Sequence, residues 1–154
     1  MSAEGDGPQF TMLGRANQVG PDMLLQCYAY PAAHADGPRR CLVRGNMIAS
    51  IDGGATSEGT SGDLGGDGDR ALFAALRELA DVIVVGASTA RTENYSGVQF
   101  SAAQRQARQS RGQAEVLPIA VLTRSGRLER DAKLFHRTEV APLVLTCADA
   151  VRDT

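Results

Sequence analysis

The 154-residue sequence has no tryptophan, only three cysteines and few aromatic residues, which make up 5% of the chain. Its sixteen basic and eighteen acidic side chains are mixed along the sequence and give a formal net charge of −2. Nucleic acid is therefore not an expected partner, because there is no broad basic field for a phosphate backbone. No apolar run approaches the roughly twenty residues of a membrane span, and the N-terminus lacks the features of a secretory signal. We expect a cytoplasmic protein with no membrane partner.

The three cysteines, Cys27, Cys41 and Cys147, are an odd number without close spacing. This pattern argues against a disulfide framework and against a thiolate metal site, so we expect no bound metal. Free cysteine is among the most buried residue types. We therefore predict reduced and mostly buried cysteine side chains.

Hydrophobic residues make up 43% of the chain, which is enough for one globular unit or a piece of one. Residues 1–40 are rich in Gly, Pro, Asp and Ala, and they predict an irregular N-terminal arm with a short helix near residues 22–26. The pattern becomes regular from residue 41. We therefore assign the folded domain to residues 41–154.

Within this domain, apolar runs alternate with helical patterns. The predicted strands cover residues 41–50, 81–85, 117–123 and 142–146, and the second is apolar enough for a central strand covered on both faces. A helix capped by Asp67 or Asp69 is predicted to reach about Ala80, and a capping box of Ser101 and Gln104 begins a polar helix. This order indicates an α/β sheet with crossover helices.

Two of the predicted strands end abruptly in small and polar residues, in NMIASIDGGAT at residues 46–56 and in VIVVGASTAR at residues 82–91. In parallel α/β sheets, ligands bind where the strands end, so two adjacent ends predict a cleft for a phosphorylated cofactor. Seven of the seventeen glycines lie in residues 53–68, the glycine loop. So many permissive residues predict a loop that bends tightly or approaches a ligand closely.

The turn after the second strand contains Gly86 and Thr89. Backbone amides at a helix N-terminus beside a hydroxyl form an anion site, but the same residues also suit a tight turn with a capping hydroxyl, and the spacing alone favours the turn. The Gly-x-Gly-x-x-Gly pattern of dinucleotide folds and the Walker lysine motif are both absent from these turns. Spacing therefore argues against classical NAD-binding and P-loop folds.

Two further groups of polar residues follow strands. Thr123, Arg124 and Ser125 suit the 2′-phosphate that distinguishes NADPH from NADH, or they form an ordinary solvated turn. Glu93 and Asp52 are the acidic residues nearest the two strand ends. Either carboxyl is a candidate proton donor in a reduction, although most carboxylates at such positions are solvated or cap a helix.

Four segments in order carry a resemblance to a known family: MIASIDG at 47–53, GTSG at 59–62, ALRELAD at 75–81 and IVVGASTARTE at 83–93. Together they resemble the riboflavin-biosynthesis pyrimidine reductases, and the conjunction is far more specific than any one segment. The resemblance covers roughly residues 41–146. It implies a dihydrofolate-reductase-like three-layer fold, of which this chain contains the N-terminal part of a mostly parallel sheet flanked by helices.

The resemblance also implies an activity and a set of site residues. The activity is an NADPH-dependent hydride transfer that opens a ribosylamino-pyrimidine 5′-phosphate to its ribityl form, in a protein that is a homodimer at full length. Ser61 and Arg77 would face the substrate, with Arg77 as a clamp for its phosphate, and Glu93 would assist proton transfer. The implied cofactor contacts are Ala49 at the nicotinamide, Gly86 and Thr89 at the phosphates, and Thr123, Arg124 and Ser125 at the 2′-phosphate.

The sequence also departs from the family pattern. Glu93 stands where the family usually has aspartate, and Tyr95 replaces a proline, so an alternative substrate is a pterin or a dihydrofolate. A non-catalytic nucleotide-binding module is a second alternative. The family's domain continues beyond the point that corresponds to Thr154, with a further glycine loop over the cofactor. We therefore expect these 154 residues alone to bind NADPH weakly and to turn over little.

Overall fold

The computed structural model describes residues 8–12, 18–31 and 41–151. Its helices are α1 (Pro21–Tyr28), α2 (Asp67–Leu79), α3 (Ala87–Thr92), α4 (Ala102–Ser110), α5 (Lys133–His136) and α6 (Ala148–Val151). Its strands are β1 (Phe10–Thr11), β2 (Gln18–Val19), β3 (Ile83–Gly86), β4 (Ile119–Leu122) and β5 (Leu143–Leu145). None of the helices in this described part has the length and apolar character needed to cross a membrane.

The sheet that carries the fold is parallel, and its strand order is β3-β4-β5. Gly86 at the end of β3 pairs with Leu122 at the end of β4, so the carboxyl ends of these two strands lie side by side. Helix α3 packs against β3 and β4, and the core on this side includes Val85 and Val121. The predicted α/β class, with a parallel sheet flanked by helices, is confirmed.

The prediction that residues 81–85 form a central strand covered on both faces is wrong for the described sheet. β4 is the central strand and is apolar and buried at Ile119, Ala120 and Val121, whereas β3 lies at an edge. Val84 of β3 is 60% exposed. An apolar run indicates a strand, but its place in the sheet depends on which other strands pair with it.

One face of the sheet remains apolar and exposed. Val84, Leu122, Leu143 and Leu145 are all exposed, and the strand register puts them on the same face. The other face is packed against α3 and α5 through Val85, Ala90 and Leu134. Parallel sheets normally have both faces covered, so this open face departs from the general pattern.

The predicted strand at residues 41–50 is absent, because this segment is irregular and pairs with no described strand. Val43 and Met47 are each 90% exposed. A strand needs a neighbour for its backbone hydrogen bonds, and the described residues provide none here. Arg44 instead ties the segment to the end of α1, by donating a hydrogen bond to the carbonyl of Tyr28 at 2.7 Å.

The helices agree more closely with the sequence. α2 begins at Asp67, but its N-cap is Gly66, which makes no side-chain hydrogen bond, so the prediction that Asp67 or Asp69 caps the helix is wrong. Asp67 lies inside the first turn and forms an ion pair with Arg70. For α4, the predicted capping box is confirmed, because Ser101 and Gln104 exchange hydrogen bonds between side chain and backbone.

The described part of the predicted N-terminal arm contains more regular structure than its composition suggests. β1 and β2 pair antiparallel, and α1 extends the predicted short helix. Val19 and Leu24 bury against Ala75 of α2, so this region shares a small core with the domain. Residues 1–7, 13–17 and 32–40 of the arm lie outside the described residues.

The prediction of buried cysteines is wrong, since Cys27, Cys41 and Cys147 are all exposed and free. Cys27 is on the outer side of α1, and Cys41 begins the irregular segment 41–50. Cys147 follows β5, where its thiol donates to the carbonyl of Arg124 at 3.2 Å. All three residues are therefore exceptions to the burial that is usual for free cysteine.

Candidate functional site

A cleft of about 780 Å³ lies between the glycine loop, α2 and α3. Its walls come from residues 46–48, from the glycine loop, from the side of α2 that carries Phe73 and Arg77, and from the end of α3 with the turn after it. Four of the site residues implied by the resemblance line it, namely Ser61, Arg77, Thr89 and Glu93. These residues come from the glycine loop, from α2 and from α3 with its C-cap, and folding brings the three segments to one cavity.

Glu93 and Ser61 are joined directly within this cleft. The Ser61 amide donates to Glu93 Oε1 at 2.8 Å, and the Ser61 hydroxyl donates to the same oxygen at 2.9 Å. Both residues are half-buried. The second carboxylate oxygen, Oε2, makes no hydrogen bond within the described ranges, so it is available to a ligand in the cleft.

The turn that ends α3 determines where Glu93 and Tyr95 point. Asn94 has a φ of +51°, the left-handed conformation, directly after the C-cap residue Glu93. The Asn94 amide donates to Arg91 O at 3.1 Å and the Tyr95 amide donates to Ala90 O at 2.9 Å. This is the Schellman pattern, in which asparagine is the usual alternative to glycine at the left-handed position. It fixes the backbone on both sides of Asn94.

Arg77 lies on the cleft side of α2 and contacts two aromatic rings. Its guanidinium carbon is 4.1 Å from the ring centre of Phe73 and 5.5 Å from that of Tyr95. Burial lowers the pKa of the Arg77 guanidinium, and the neighbouring Tyr95 phenol partly opposes this shift. Its buried Nε atom has no hydrogen-bond partner in the described part of the chain.

Gly86 and Thr89 lie where β3 leads into α3. Gly86 is the N-cap of α3, and no side chain forms a cap hydrogen bond there. Thr89 is exposed and lines the cleft. A Cβ atom at Gly86 would lie 3.9 Å from Thr89 Oγ1, so glycine leaves the space beside this hydroxyl open.

Thr123, Arg124 and Ser125 follow β4 and do not line the cleft. Thr123 is buried, and its amide donates to Leu145 O at 2.9 Å. Arg124 and Ser125 are exposed, and Ser125 accepts a hydrogen bond from the Arg127 amide. Leu122, the last residue of β4, pairs with Gly86, the last residue of β3. Thr123, Arg124 and Ser125 therefore follow directly after the end of β4 that lies beside Gly86.

Ala49 and Asp52 lie outside the cleft lining. Ala49 is exposed and directly follows Ile48, which does line the cleft. Asp52 is in an exposed turn, where a hydrogen bond from the Ser50 hydroxyl lowers the pKa of its carboxyl. Glu93 lines the cleft and Asp52 does not, so the geometry favours Glu93 as the acidic group of the site.

Among the cleft residues that were not predicted as site residues, Phe73 and Tyr95 contact Arg77. Phe73 stacks on Arg77, and their four-residue spacing puts them on one helix face. Tyr95 was noted only as a departure from the family pattern. In the described parts of the chain, no group of His, Cys, Asp and Glu residues has the arrangement of a metal site.

Comparison with known proteins finds a match to a family model and matches to solved structures. The family model of the RibD C-terminal domain matches residues 42–154. The chain is also similar to the crystal structure of a pyrimidine reductase-like protein from Corynebacterium diphtheriae, with 39% sequence identity and a TM-score of 0.59. This match covers 65% of the chain and 42% of that protein, so the chain spans less than half of the protein's length. No curated protein matches the chain.

Proposed function

Because the chain belongs to the RibD C-terminal domain family, we propose that it is an NADPH-dependent reductase of a ribosylamino-pyrimidine 5′-phosphate. Family membership confirms the resemblance to the riboflavin-biosynthesis pyrimidine reductases. The likeness to a pyrimidine reductase-like protein at 39% identity supports the same reaction class. Cofactor and substrate are assigned from the site residues and the resemblance.

The observation that carries this proposal is the hydrogen-bonded pair of Ser61 and Glu93 in the cleft that Arg77 and Thr89 also line. A carboxylate held on one oxygen by two donors has a fixed direction, so its other oxygen is pre-positioned toward a ligand. A cation, a hydroxyl and a carboxylate around one cavity suit a sugar phosphate better than an apolar ligand.

In the proposed reaction, the anomeric sugar carbon gains a hydride, its bond to the ring oxygen breaks, and the ring oxygen takes up one proton. The product therefore carries two more hydrogen atoms than the substrate. When bound, NADPH supplies the hydride. Glu93 Oε2 holds the proton at the ring oxygen, as a general acid whose orientation Ser61 fixes.

The residues at the two strand ends fit NADPH. The first turn of α3 has no side-chain cap and adjoins the Thr89 hydroxyl, so its amides suit the phosphates of the cofactor. Arg124 and Ser125 are exposed at the neighbouring strand end, where a guanidinium and a hydroxyl suit a 2′-phosphate. Ala49, at the edge of the cleft, is assigned to the nicotinamide.

Arg77 is assigned to the 5′-phosphate of the substrate. It is half-buried on the cleft wall, and its Nε donor has no partner in the described part of the chain. A buried donor without a partner is costly, and a phosphate oxygen would satisfy it. Thr89 and Arg77 line the same cleft, so the cofactor and the substrate phosphate occupy neighbouring parts of it.

A single-turnover assay tests the proposal. The 154-residue chain in excess is mixed with NADPH and the ribosylamino-pyrimidine 5′-phosphate, and the ribityl product is measured. We expect slow conversion, a preference for NADPH over NADH, and loss of conversion in Glu93→Gln. The matched control is Glu129→Gln, whose carboxylate forms an exposed ion pair with Arg91 away from the cleft lining.

Two results would contradict the proposal. Conversion of dihydrofolate or a pterin in place of the pyrimidine would support the alternative reductase, with the same cofactor. Absence of every reduced product, together with equal fluorescence titrations for NADPH and NADH, would support the non-catalytic module.

A further inference from the structure

Arg77 is held by two rings that come from different parts of the chain. Phe73 is four residues earlier on α2, and its ring centre is 4.1 Å from the guanidinium carbon. Tyr95 follows the turn that ends α3, and its ring centre is 5.5 Å from the same atom. All three side chains line the cleft. One ring is therefore fixed by the helix that carries Arg77, and the other by the element opposite.

The position of Tyr95 is constrained at both its backbone and its side chain. Its amide closes the Schellman turn on Ala90 O, and its ring packs against the core that contains Val85 and Val121. The side chain thus bridges the core beneath the sheet and the guanidinium at the cleft. A flexible arginine that contacts such a fixed ring loses less freedom when it binds a ligand.

The surroundings of Arg77 also favour an anion over other ligands. The guanidinium forms no ion pair in the described part of the chain, and its Nε has no partner there. Burial penalises its charge, and the Tyr95 phenol offsets this penalty only in part. An anion that enters the cleft can therefore accept a charge-assisted hydrogen bond from the Arg77 guanidinium.

We propose that Tyr95 is a positioning residue that holds the Arg77 guanidinium toward the cleft, and that it thereby sets the affinity for a phosphate monoester. The inference rests on the proposed function, because it takes the 5′-phosphate as the group that Arg77 binds. The inference assigns a role to Tyr95, a residue at which this sequence departs from the pattern of its family.

The test uses ribose 5-phosphate and ribose as a matched pair of probes for the 154-residue chain. Affinity is read from the backbone amide signals of Ser61 and Glu93 in ¹H–¹⁵N spectra, which every variant retains. Where Arg77 is present, its Nε–Hε signal also reports the orientation of this one side chain. Wild type is compared with Tyr95→Phe, which keeps the ring, and with Tyr95→Met, which removes it. Tyr30→Leu is the control, because it removes a similar ring contact from Arg44, outside the cleft lining.

We expect wild type to bind ribose 5-phosphate more tightly than ribose, and Arg77→Leu to abolish this preference. Tyr95→Met should weaken ribose 5-phosphate binding roughly 3- to 25-fold, the range for a cation–π contact, and leave ribose binding unchanged. Tyr95→Phe should keep most of the affinity, and Tyr30→Leu all of it. In the single-turnover assay, Tyr95→Met should raise the protein concentration needed for half the maximal rate of conversion, with little change in the maximal rate.

The two proposals fail in different ways. If Arg77→Leu weakens phosphate binding but Tyr95→Met does not, the positioning role of Tyr95 is wrong and the phosphate assignment stands. If wild type fails to distinguish ribose 5-phosphate from ribose, both are wrong. Should Tyr95→Met lose its fold by circular dichroism, Tyr95→Leu repeats the test with a shorter side chain. In an Arg77→Leu background, Tyr95→Met should have no further effect on phosphate binding.

Discussion

Ser61 holds Glu93 by two hydrogen bonds to a single carboxylate oxygen, at 2.8 Å from the amide and 2.9 Å from the hydroxyl. The pair spans 32 residues of sequence and joins the glycine loop to the end of α3. Because both donors occupy Oε1, rotation of the carboxyl group is restrained and Oε2 keeps one direction. The glycine loop therefore has a definite role, since it brings a donor pair to the acidic residue of the cleft.

Glu93→Gln should lower single-turnover conversion by roughly 100-fold or more, because an amide cannot give up a proton while its oxygen still accepts from Ser61. Thermal stability should change little, because the amide oxygen of the substituted side chain still accepts the hydrogen bonds from Ser61. Ser61→Ala should lower conversion less, by roughly tenfold, since the hydrogen bond from the Ser61 backbone amide to Glu93 remains. Ser110→Ala is the control, because its hydroxyl donates to the Ala107 carbonyl within α4 and does not line the cleft. Wild-type conversion by Glu93→Gln would exclude Glu93 as the proton donor.

Asn94 should tolerate glycine and resist a β-branched residue, because its φ of +51° is left-handed. Asn94→Gly should be at least as stable as wild type in urea unfolding, whereas Asn94→Val should lose about 1–2 kcal/mol. The valine variant should also convert substrate more slowly, since the turn directs both Glu93 and Tyr95. Gln99→Val, at an exposed position with irregular backbone, is the control. Equal stability of Asn94→Gly and Asn94→Val would contradict the assigned turn.

The exposed pair of Arg105 and Glu139 should make stability depend on pH in the acid range. Arg105 donates to both Glu139 oxygens, at 3.0 and 2.6 Å, and these hydrogen bonds hold the pKa of Glu139 below its ordinary value of 4.5. A carboxyl whose pKa is lowered by folding stabilises the folded state at pH values above its pKa in the unfolded chain. This contribution is lost as the pH falls through the pKa of the folded state. The Tm difference between wild type and Glu139→Gln should therefore be present near neutral pH and vanish in acid.

Salt provides the control for the Glu139 prediction. Both side chains are accessible to solvent, so high ionic strength should reduce the Tm difference at neutral pH. A Tm difference that increases as the pH falls would contradict the sign argued here.

Local patterns in the sequence predicted local structure well. The capping box at Ser101 and Gln104 needs only residues three apart, and it is confirmed. The position of a strand depends on partners far along the chain, and here the predictions failed. Residues 41–50 are apolar but pair with no described strand, and residues 81–85 form an edge rather than a central strand.

The candidate site shows the same contrast between local patterns, which were predicted, and long-range contacts, which were not. The motifs pointed to Ser61, Arg77, Thr89 and Glu93, and all four line one cleft. The hydrogen bonds between Ser61 and Glu93 were not predicted, because they depend on how the glycine loop folds back over α3. The contact of Tyr95 with Arg77 was missed for a similar reason, since it depends on the left-handed turn at Asn94.

The largest stability effect is expected at Arg108, which is fully buried in the polar helix α4. Its Nη1 donates to Glu78 O at 2.7 Å and Ala80 O at 2.8 Å, and its Nε donates to Ala114 O at 2.8 Å. Two of these carbonyls lie at the end of α2, where Arg111 Nη2 also donates to Glu78 O at 3.1 Å and Gln113 Nε2 donates to Leu79 O at 2.8 Å. Arg108→Met should lower the free energy of unfolding by roughly 3–5 kcal/mol, because the carbonyls of Ala80 and Ala114 lose their side-chain donor and Glu78 O keeps only Arg111.

Two further variants separate the hydrogen bonds of Arg108 from its charge and volume. Arg108→Lys keeps the charge but lacks the planar fork, so it should lose stability to an intermediate degree in urea unfolding. Gln106→Met makes a similar substitution at an exposed position of the same helix and should change stability by less than about 0.5 kcal/mol. If Arg108→Met were as stable as Gln106→Met, the carbonyls at the end of α2 would not depend on this guanidinium. Since Arg77 directly precedes Glu78, a loosened helix end should also weaken ribose 5-phosphate binding in Arg108→Met.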